Sequence, residues 1–434
     1  MNILLVVQDF LPKHPAGTEI YTYNLAKALK NRGHEVSVFT REYGDFEEKL
    51  REENTQHNGI KVKKVYFNSL NKRLKLLRKF YLDFYNPLLE KHFSDHLDET
   101  KPDIIHIQHL KGLSASFISV ARKRKIPTVL TLHDYWFMCS TIQLLTTSFK
   151  RCSGPLYGLK CPGCLIPTLN PMIVWGLYPF HSVLFFIRTI FLRRLLNKVD
   201  LIITPSNFLR KKFIAHGISE EKIIFSDNGI NTNLSKLYKG ISNNDNKLRF
   251  TFIGSIMPHK GVHVLLEAFN KLTNSNAELR VYGDSRFAPN YYERLRLMAT
   301  NPSIKLMGSF DNNRVYEILA ETDVLVVPSI WYENSPLTIH EAALAGVPVI
   351  ASNIGGMAEL IERMKNGLLF KVEDANDLYE KMKLLIDNPR LIKELKGKAE
   401  EVKTIEENAK ELEGIYLHLC NYSATKAQRH KGGI

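Results

Sequence analysis

Short apolar, β-branched runs recur along the first half of the chain at the spacing of alternating strands and helices: Ile3–Val7, Glu35–Thr40, Ile104–His109, Thr128–His133 and Leu201–Ser206. Between the first two, Ile20, Leu25, Ala28 and Leu29 fall on one helical face, predicting a helix from Thr18 to Asn31 with Gly33 as its stop. The rhythm breaks at the polar, turn-forming run Lys239-Gly-Ile-Ser-Asn-Asn-Asp-Asn246. It then resumes with expected strands at Arg249–Gly254, Glu278–Tyr282, Ile304–Leu306, Val324–Pro328 and Val347–Ala351. Such alternation implies an α/β protein whose parallel sheets are doubly wound, in two Rossmann-like domains facing each other across a cleft. The expected division is residues 1–238, a linker at 239–247, a second domain at 248–405, and a helix at 406–422 returning toward the first domain. The polar tail 423–434 is expected to be disordered. Asp377–Cys420 as a whole reads as helical.

Composition then narrows the class. The 434 residues are 44% hydrophobic and 24% charged, as in ordinary globular proteins, which excludes a collagenous, low-complexity or disulfide-scaffold chain. The net charge of +14 is unevenly placed. Residues 1–240 hold 35 Lys and Arg against 20 Asp and Glu, a surplus of 15, whereas residues 241–434 are nearly neutral. Between Ile104 and Val199 twelve basic residues accompany one acid, Asp134, so that half should face something anionic. Five cysteines and an N-terminus without a basic n-region and long apolar core point to a reducing cytoplasm. Met172–Leu192 is the longest apolar stretch, but Gly176, Pro179, His181 and Arg188 interrupt it, short of the ~20 apolar residues of a spanning helix.

The chemistry concentrates in the segment Pro328-Ser-Ile-Trp-Tyr-Glu-Asn-Ser-Pro-Leu-Thr-Ile-His-Glu341. A buried strand is expected to end at Pro328, with Ser335 as N-cap and Pro336 at the first helical position. A helix starting there turns free amides and a positive dipole end outward, an arrangement suited to a diphosphate. Glu333 lies just before that helix and Glu341 about two turns into it, so the two carboxylates flank the anion site. Upstream, a strand ends at Gly254 and Lys260-Gly261 opens the next helix, placing a cation that can reach a phosphate.

These residues resemble those of a retaining glycosyltransferase of family 4, with the GT-B fold, over nearly the whole chain from Met1 to about Glu413. The Glu-x7-Glu motif at Glu333–Glu341, with Gly355-Gly-Met-Ala-Glu359 after it, is the most specific element. The resemblance implies that Glu333 contacts the sugar of a nucleotide-sugar donor and Glu341 its ribose, and that the segment between them, Asn334, Ser335, Leu337 and Thr338, holds the diphosphate. It places Gly17, in Asp9-Phe-Leu-Pro-Lys-His-Pro-Ala-Gly-Thr-Glu19, near the donor phosphate and the acceptor. His133, in Thr131-Leu-His-Asp-Tyr-Trp136, falls beside the donor sugar, where it orients hydroxyls and shields developing positive charge. The family's usual arginine before the phosphate lysine is Ser255 here, which leaves Lys260, with Arg286 or the helix N-terminus to compensate. The implied reaction is front-face transfer in which the leaving diphosphate accepts the acceptor's proton, with no cofactor required. The chain has no Asp-x-Asp, the mark of the metal-dependent single-domain class.

Cys139, Cys152, Cys161 and Cys164 fall within 26 residues and end in Cys-Pro-Gly-Cys, suiting either a structural zinc site or free thiols. The amphiphilic segment 172–196, ending in Arg193-Arg194, and the basic clusters Arg122–Lys125 and Lys72–Lys79 fit an interfacial anchor on anionic lipid. The partners expected are therefore a nucleotide-sugar donor, a glycan or lipid-linked acceptor of cell-surface polysaccharide assembly, and an anionic membrane surface at the inner face of the cell membrane. No nucleic-acid-binding motif accompanies the basic half. A sugar-nucleotide-binding scaffold without activity, or a GT-B-type nucleotide-sugar epimerase, is the alternative function.

Overall fold

Strands with both faces covered favour apolar side chains at successive positions, and most of the runs read from the sequence lie inside two such sheets, β11 at an edge excepted. The computed structural model describes residues 1–434 except 15, 45–49, 69–83, 166–169, 233–246, 274–275, 397–401 and 432–434. The chain folds as two units, Met1–Gly229 with Ile405–Ile434, and Ile230–Thr404. All but Lys247 of the expected linker, and the Lys72–Lys79 cluster, lie outside the described residues.

The first unit holds an eight-stranded sheet of β1 (Asn2–Val6), β2 (Glu35–Gly44), β3 (Leu50–His57), β4 (Ile60–Asn68), β5 (Ile104–Ile107), β6 (Thr128–Thr131), β7 (Leu201–Thr204) and β8 (Ile223–Phe225). Their order is β3-β4-β2-β1-β5-β6-β7-β8, parallel throughout except for the antiparallel β3/β4 pair. The sequence pattern does not mark β3, β4 or β8. β3 reads Leu-Arg-Glu-Glu-Asn-Thr-Gln-His and occupies the sheet edge, where no apolar alternation is required. The connecting helices are α1 (Gly17–Asn31), α2 (Pro87–Thr100), α3 (Phe117–Lys123), α4 (Pro171–Gly176), α5 (Tyr178–Leu196) and α6 (Asn207–Ala215). The amphiphilic segment is thus two helices, divided at Leu177.

The second unit's sheet consists of β9 (Leu248–Ile253), β10 (Ala277–Tyr282), β11 (Ile304–Gly308), β12 (Val324–Val327), β13 (Val349–Ser352) and β14 (Gly367–Phe370). It is wholly parallel in the order β11-β10-β9-β12-β13-β14. Its helices are α7 (Val262–Asn270), α8 (Pro289–Met298), α9 (Val315–Ala320), α10 (Leu337–Leu344), α11 (Gly355–Met364), α12 (Ala375–Asp387) and α13 (Pro389–Glu394).

The chain then closes on the first unit with α14 (Ile405–Lys431). Ile405, Ala409, Leu412 and Tyr416 join the core formed by β1 and α1. Tyr21 donates to Asn408 Oδ1 at 2.8 Å, and His34 Nε2 meets Glu413 Oε1 at 2.8 Å. The expected disordered tail from Ser423 instead extends this helix to Lys431. Ala, Lys, Gln and Arg in that stretch are good helix formers, and a helix already nucleated by packing propagates through them.

Candidate active site

In a doubly wound sheet, ligands gather beyond the strand carboxyl ends where the strand order reverses. In the second unit that point lies between β9 and β12, and the Lys260 and Glu333 loops follow these two strands. The loops are interlocked. Ile330 N–H donates to His259 O at 2.9 Å, and Gly261, at φ +71°, approaches so closely that a Cβ would stand 1.9 Å from Pro328 O. Lys260 Nζ donates to Glu333 Oε1 at 2.6 Å and lies 5.8 Å from the Trp331 ring centroid; Ser329 Oγ donates to the same carboxylate oxygen at 2.9 Å. Burial alone would raise the Glu333 carboxyl; the Lys260 ammonium outweighs it and holds the group below the usual carboxylate range.

Glycines fix the rest of the loop. Gly356 N–H donates to Glu333 O at 2.7 Å, and a Cβ there would lie 1.6 Å from Asn334 O. The Gly355-Gly356 turn at the start of α11 therefore supports Glu333 and the buried Asn334 from behind. The helix start differs from the sequence expectation. Pro336 is the N-cap and α10 begins at Leu337, because Ser335 Oγ is engaged with His340 Nε2 at 2.8 Å rather than capping. The first-turn amides of Leu337 and Thr338 have no intrahelical acceptor. Glu341 consequently lies just over one turn into the helix, not two. Burial pushes its carboxyl up to about 7.

Ser255 is exposed at the end of the β9 loop. Arg286 stands in the neighbouring loop, tied to it by Ile256 N–H donating to Asp284 O at 2.9 Å. Its guanidinium is committed to Asp284, with Nη2 to Oδ2 at 2.7 Å and Nε to Oδ2 at 2.9 Å. Its charge is thus paired with Asp284 on the exposed surface of that loop.

In the first unit the order reverses between β1 and β5. Gly17 opens α1 behind an Ala16 N-cap that makes no side-chain bond. Glu19, in the first turn, is buried, its Oε2 without a hydrogen-bond partner among the described residues, and burial raises its carboxyl. After β5 come Gln108 and His109, and after β6 come His133 and Asp134. His133 Nε2 meets Gln108 Oε1 at 2.9 Å and its ring packs edgewise on Tyr21. Burial, reinforced by His109, pushes the His133 imidazole down to about 3, so it is neutral at physiological pH. His109 Nε2 meets Asp134 Oδ2 at 2.9 Å. Gln108 Nε2 is buried with no partner among the described residues. Sequence reading missed Gln108, His109 and Glu19 as site residues. The available signal was polar residues directly after an all-apolar strand.

The four cysteines are free thiols; Cys139 is buried and the others are half-buried. Burial, then the neighbouring Cys139 and Cys152, pushes the Cys164 thiol up to about 11, so these groups share one neighbourhood. Among the described residues, however, no three His, Cys, Asp or Glu side chains are grouped to take one metal ion, and the arrangement does not fit the expected zinc site.

A family model described as Glycosyltransferase Family 4 matches residues 15–234, and one described as Glycosyl transferases group 1 matches residues 236–411. An uncharacterized 42.6 kDa protein in the cps region of Klebsiella pneumoniae is 26% identical over 388 residues, covering 87% of this chain and 91% of that protein. An uncharacterized glycosyltransferase of Methanocaldococcus jannaschii is 25% identical over 384 residues, covering 85% of this chain and 84% of its own. Among solved structures, Anabaena HepE in complex with UDP superposes with a TM-score of 0.60 at 19% identity, over 99% of this chain and 100% of that one. Two doubly wound parallel sheets and two adjoining family matches lead to one assignment: the chain belongs to glycosyltransferase family 4, a glycosyltransferase of the GT-B type.

Proposed function

We propose that the protein transfers a sugar, with retention of anomeric configuration, from a nucleotide-sugar donor to a glycan or lipid-linked acceptor in cell-surface polysaccharide assembly, working at the inner face of the membrane. The observation that carries this reading is the pair of interlocked loops at the β9/β12 switch point, which hold a lysine, a buried carboxylate and an uncapped helix start together. In this reading Lys260 and the amides of Ser335, Leu337 and Thr338 hold the diphosphate, with Asn334 in the loop between. Glu341 accepts from the ribose hydroxyls and Glu333 from the donor sugar. His133 orients the donor sugar, and its neutral imidazole can stand beside developing positive charge without repelling it. Gly17 gives the phosphate and acceptor close access to backbone. The unpartnered Glu19 Oε2 and Gln108 Nε2 are polar groups that a hydroxylated ligand would satisfy.

The protein's contribution to the chemistry is positioning and stabilisation of charge on the leaving diphosphate. The Klebsiella relative's cps-region origin supports polysaccharide assembly, and the UDP in the Anabaena neighbour supports a nucleoside diphosphate donor.

Thermal unfolding with UDP-, GDP-, ADP- and TDP-sugars tests the donor, because a ligand bound only by the native state stabilises it. One of them should raise Tm, and Glu341→Ala should weaken that effect for the free nucleoside diphosphate. Glu333→Gln should retain nucleotide binding, since it releases Lys260 from a competing carboxylate, while losing most transfer. If none of the four stabilises the chain, the donor reading is wrong.

A further inference from the structure

A helix on the surface of a soluble protein ordinarily buries its apolar side and exposes its polar one. α5 departs from this. Phe185, Leu192, Leu195 and Leu196 are buried in the ordinary way, but His181, Ser182, Arg188 and Thr189 are buried with them, whereas Phe180, Val183, Phe186 and Ile187 are 43–59% exposed. Phe180, Val183 and Ile187 repeat at i, i+3 and i+7, so they form one outward stripe, and exposed Arg194 continues it. The arrangement is held by specific bonds: Arg188 Nη2 donates to Trp136 O at 2.9 Å, and Ser182 Oγ donates to Leu159 O at 3.3 Å.

The stripe is part of a larger surface. α4 precedes it with Met172 at 78% exposure and Trp175 at 60%, the latter stacked on Tyr178. The loop carrying Tyr157 packs along α5, where Gly158 approaches so closely that a Cβ would stand 2.5 Å from Phe185 O. Of the nineteen large apolar side chains exposed among the described residues, eleven lie between Phe149 and Ile187. A concentration of this kind marks an interaction site rather than scattered surface.

Charge identifies what the surface fits. From Tyr135 to Val199 the sequence has seven Lys and Arg and no Asp or Glu. Lys150, Arg151, Lys160 and Arg194 are all exposed around the apolar face. A second copy would set this patch against itself, since twofold pairing places like surface on like surface and here would oppose basic residues. No helix among the described residues is long and apolar enough to cross a membrane. We infer that the outward face of α4, α5 and the 149–160 loop docks on an anionic lipid bilayer, its aromatic and aliphatic side chains entering at the headgroup level and its lysines and arginines meeting the lipid phosphates. The inference extends the lipid-linked acceptor reading but stands on the surface itself, so it is tested with neither donor nor acceptor present.

The full chain is sedimented with vesicles of phosphatidylcholine alone or of phosphatidylcholine with one third phosphatidylglycerol. Binding is expected to the second only, and to fall in 1 M salt, where the Debye length shrinks to about 3 Å. Trp175 emission should shift to the blue and be quenched by bromine-labelled acyl chains, with Trp175→Phe losing both signals. The variant Lys150→Ala/Arg151→Ala/Arg194→Ala should bind about a hundredfold more weakly, roughly fivefold for each charge. Trp175→Ser/Phe180→Ser/Ile187→Ser should abolish binding while unfolding at the wild-type temperature, because all three side chains are exposed. Equal binding to both vesicle types, or binding that survives both variants, overturns the inference. So does wild-type protein that ignores vesicles but forms a dimer dissociated by the serine variant, which would make the face a contact between copies.

Discussion

Removing the ammonium of Lys260 would leave the Glu333 carboxylate buried with Ser329 as its remaining side-chain donor at short range. Two effects follow from one substitution. Loss of a preorganised cation aimed at developing charge lowers kcat by about 10²–10³, so Lys260→Ala is expected to fall that far in a transfer assay. The stranded carboxylate also costs stability, on the order of 1–3 kcal/mol in chemical denaturation. Ser255→Arg should tighten nucleoside diphosphate binding and partly restore Lys260→Ala. Arg286→Ala should change turnover little, because its charge is already spent on Asp284. Glu341 gives a pH signature of the opposite kind. Its folded-state value of about 7 lies above the ordinary 4.5, so the folded chain holds a proton that the unfolded chain has lost between those limits. Its contribution to stability is therefore complete below about pH 4.5 and falls as pH rises to 7. Glu341→Gln removes that slope, and its Tm relative to wild type should climb from pH 5 to pH 8 by about 5–10 °C, on the order of 2–3 kcal/mol. Nucleoside diphosphate affinity of the wild type should rise through pH 7 as the carboxylate becomes available to ribose hydroxyls.

At the level of elements, the site depends on glycines that let one loop rest on another. Gly356→Ala places a methyl 1.6 Å from Asn334 O, so the 333–334 backbone must move. The expected cost is about 1–3 kcal/mol in unfolding free energy, with at least a tenfold loss of donor affinity by titration. These elements differ in how far the sequence displays them. β1 from Ile3 onward and β12 write themselves as unbroken Ile, Leu and Val runs, and β9 as Leu, Phe and Ile with only Arg249 and Thr251 between, so the Lys260 and Glu333 loops are placed by the sequence alone. β3 lies at an edge and is polar along its length, and nothing in its composition separates it from a loop. The start of α10 lies one residue later than cap preferences predict, because Ser335 has a nearer partner in His340, a contact that those preferences do not contain. Gln108 and Glu19 stand out as candidates only once the fold places β5 and α1 at the point where the strand order reverses. The cysteine spacing admits either a zinc site or free thiols; the folded loop gathers the thiols, and among the described residues no three His, Cys, Asp or Glu side chains are grouped to hold one ion.

On the scale of the whole molecule, the first unit is assembled from both ends of the chain. Tyr416 is fully buried, and its hydroxyl meets His106 Nδ1 at 2.5 Å from α14. Tyr416→Ala is expected to destabilise the first unit by about 3–5 kcal/mol and to speed amide hydrogen exchange in β1 and β5, leaving β9 and β12 at their wild-type rates. The same feature governs how the protein is made. A ribosome delivers Met1–Gly229 first, yet the core around β1 and α1 lacks Ile405, Ala409, Leu412 and Tyr416 until the last thirty residues emerge. At 5–20 residues per second the intervening 175 residues take about 10–35 s. Through that interval the apolar side of α1 stays open while the second unit can fold without interruption. A truncation that removes α14 should therefore destabilise the first unit, the part synthesised earliest, and leave the second unit folded.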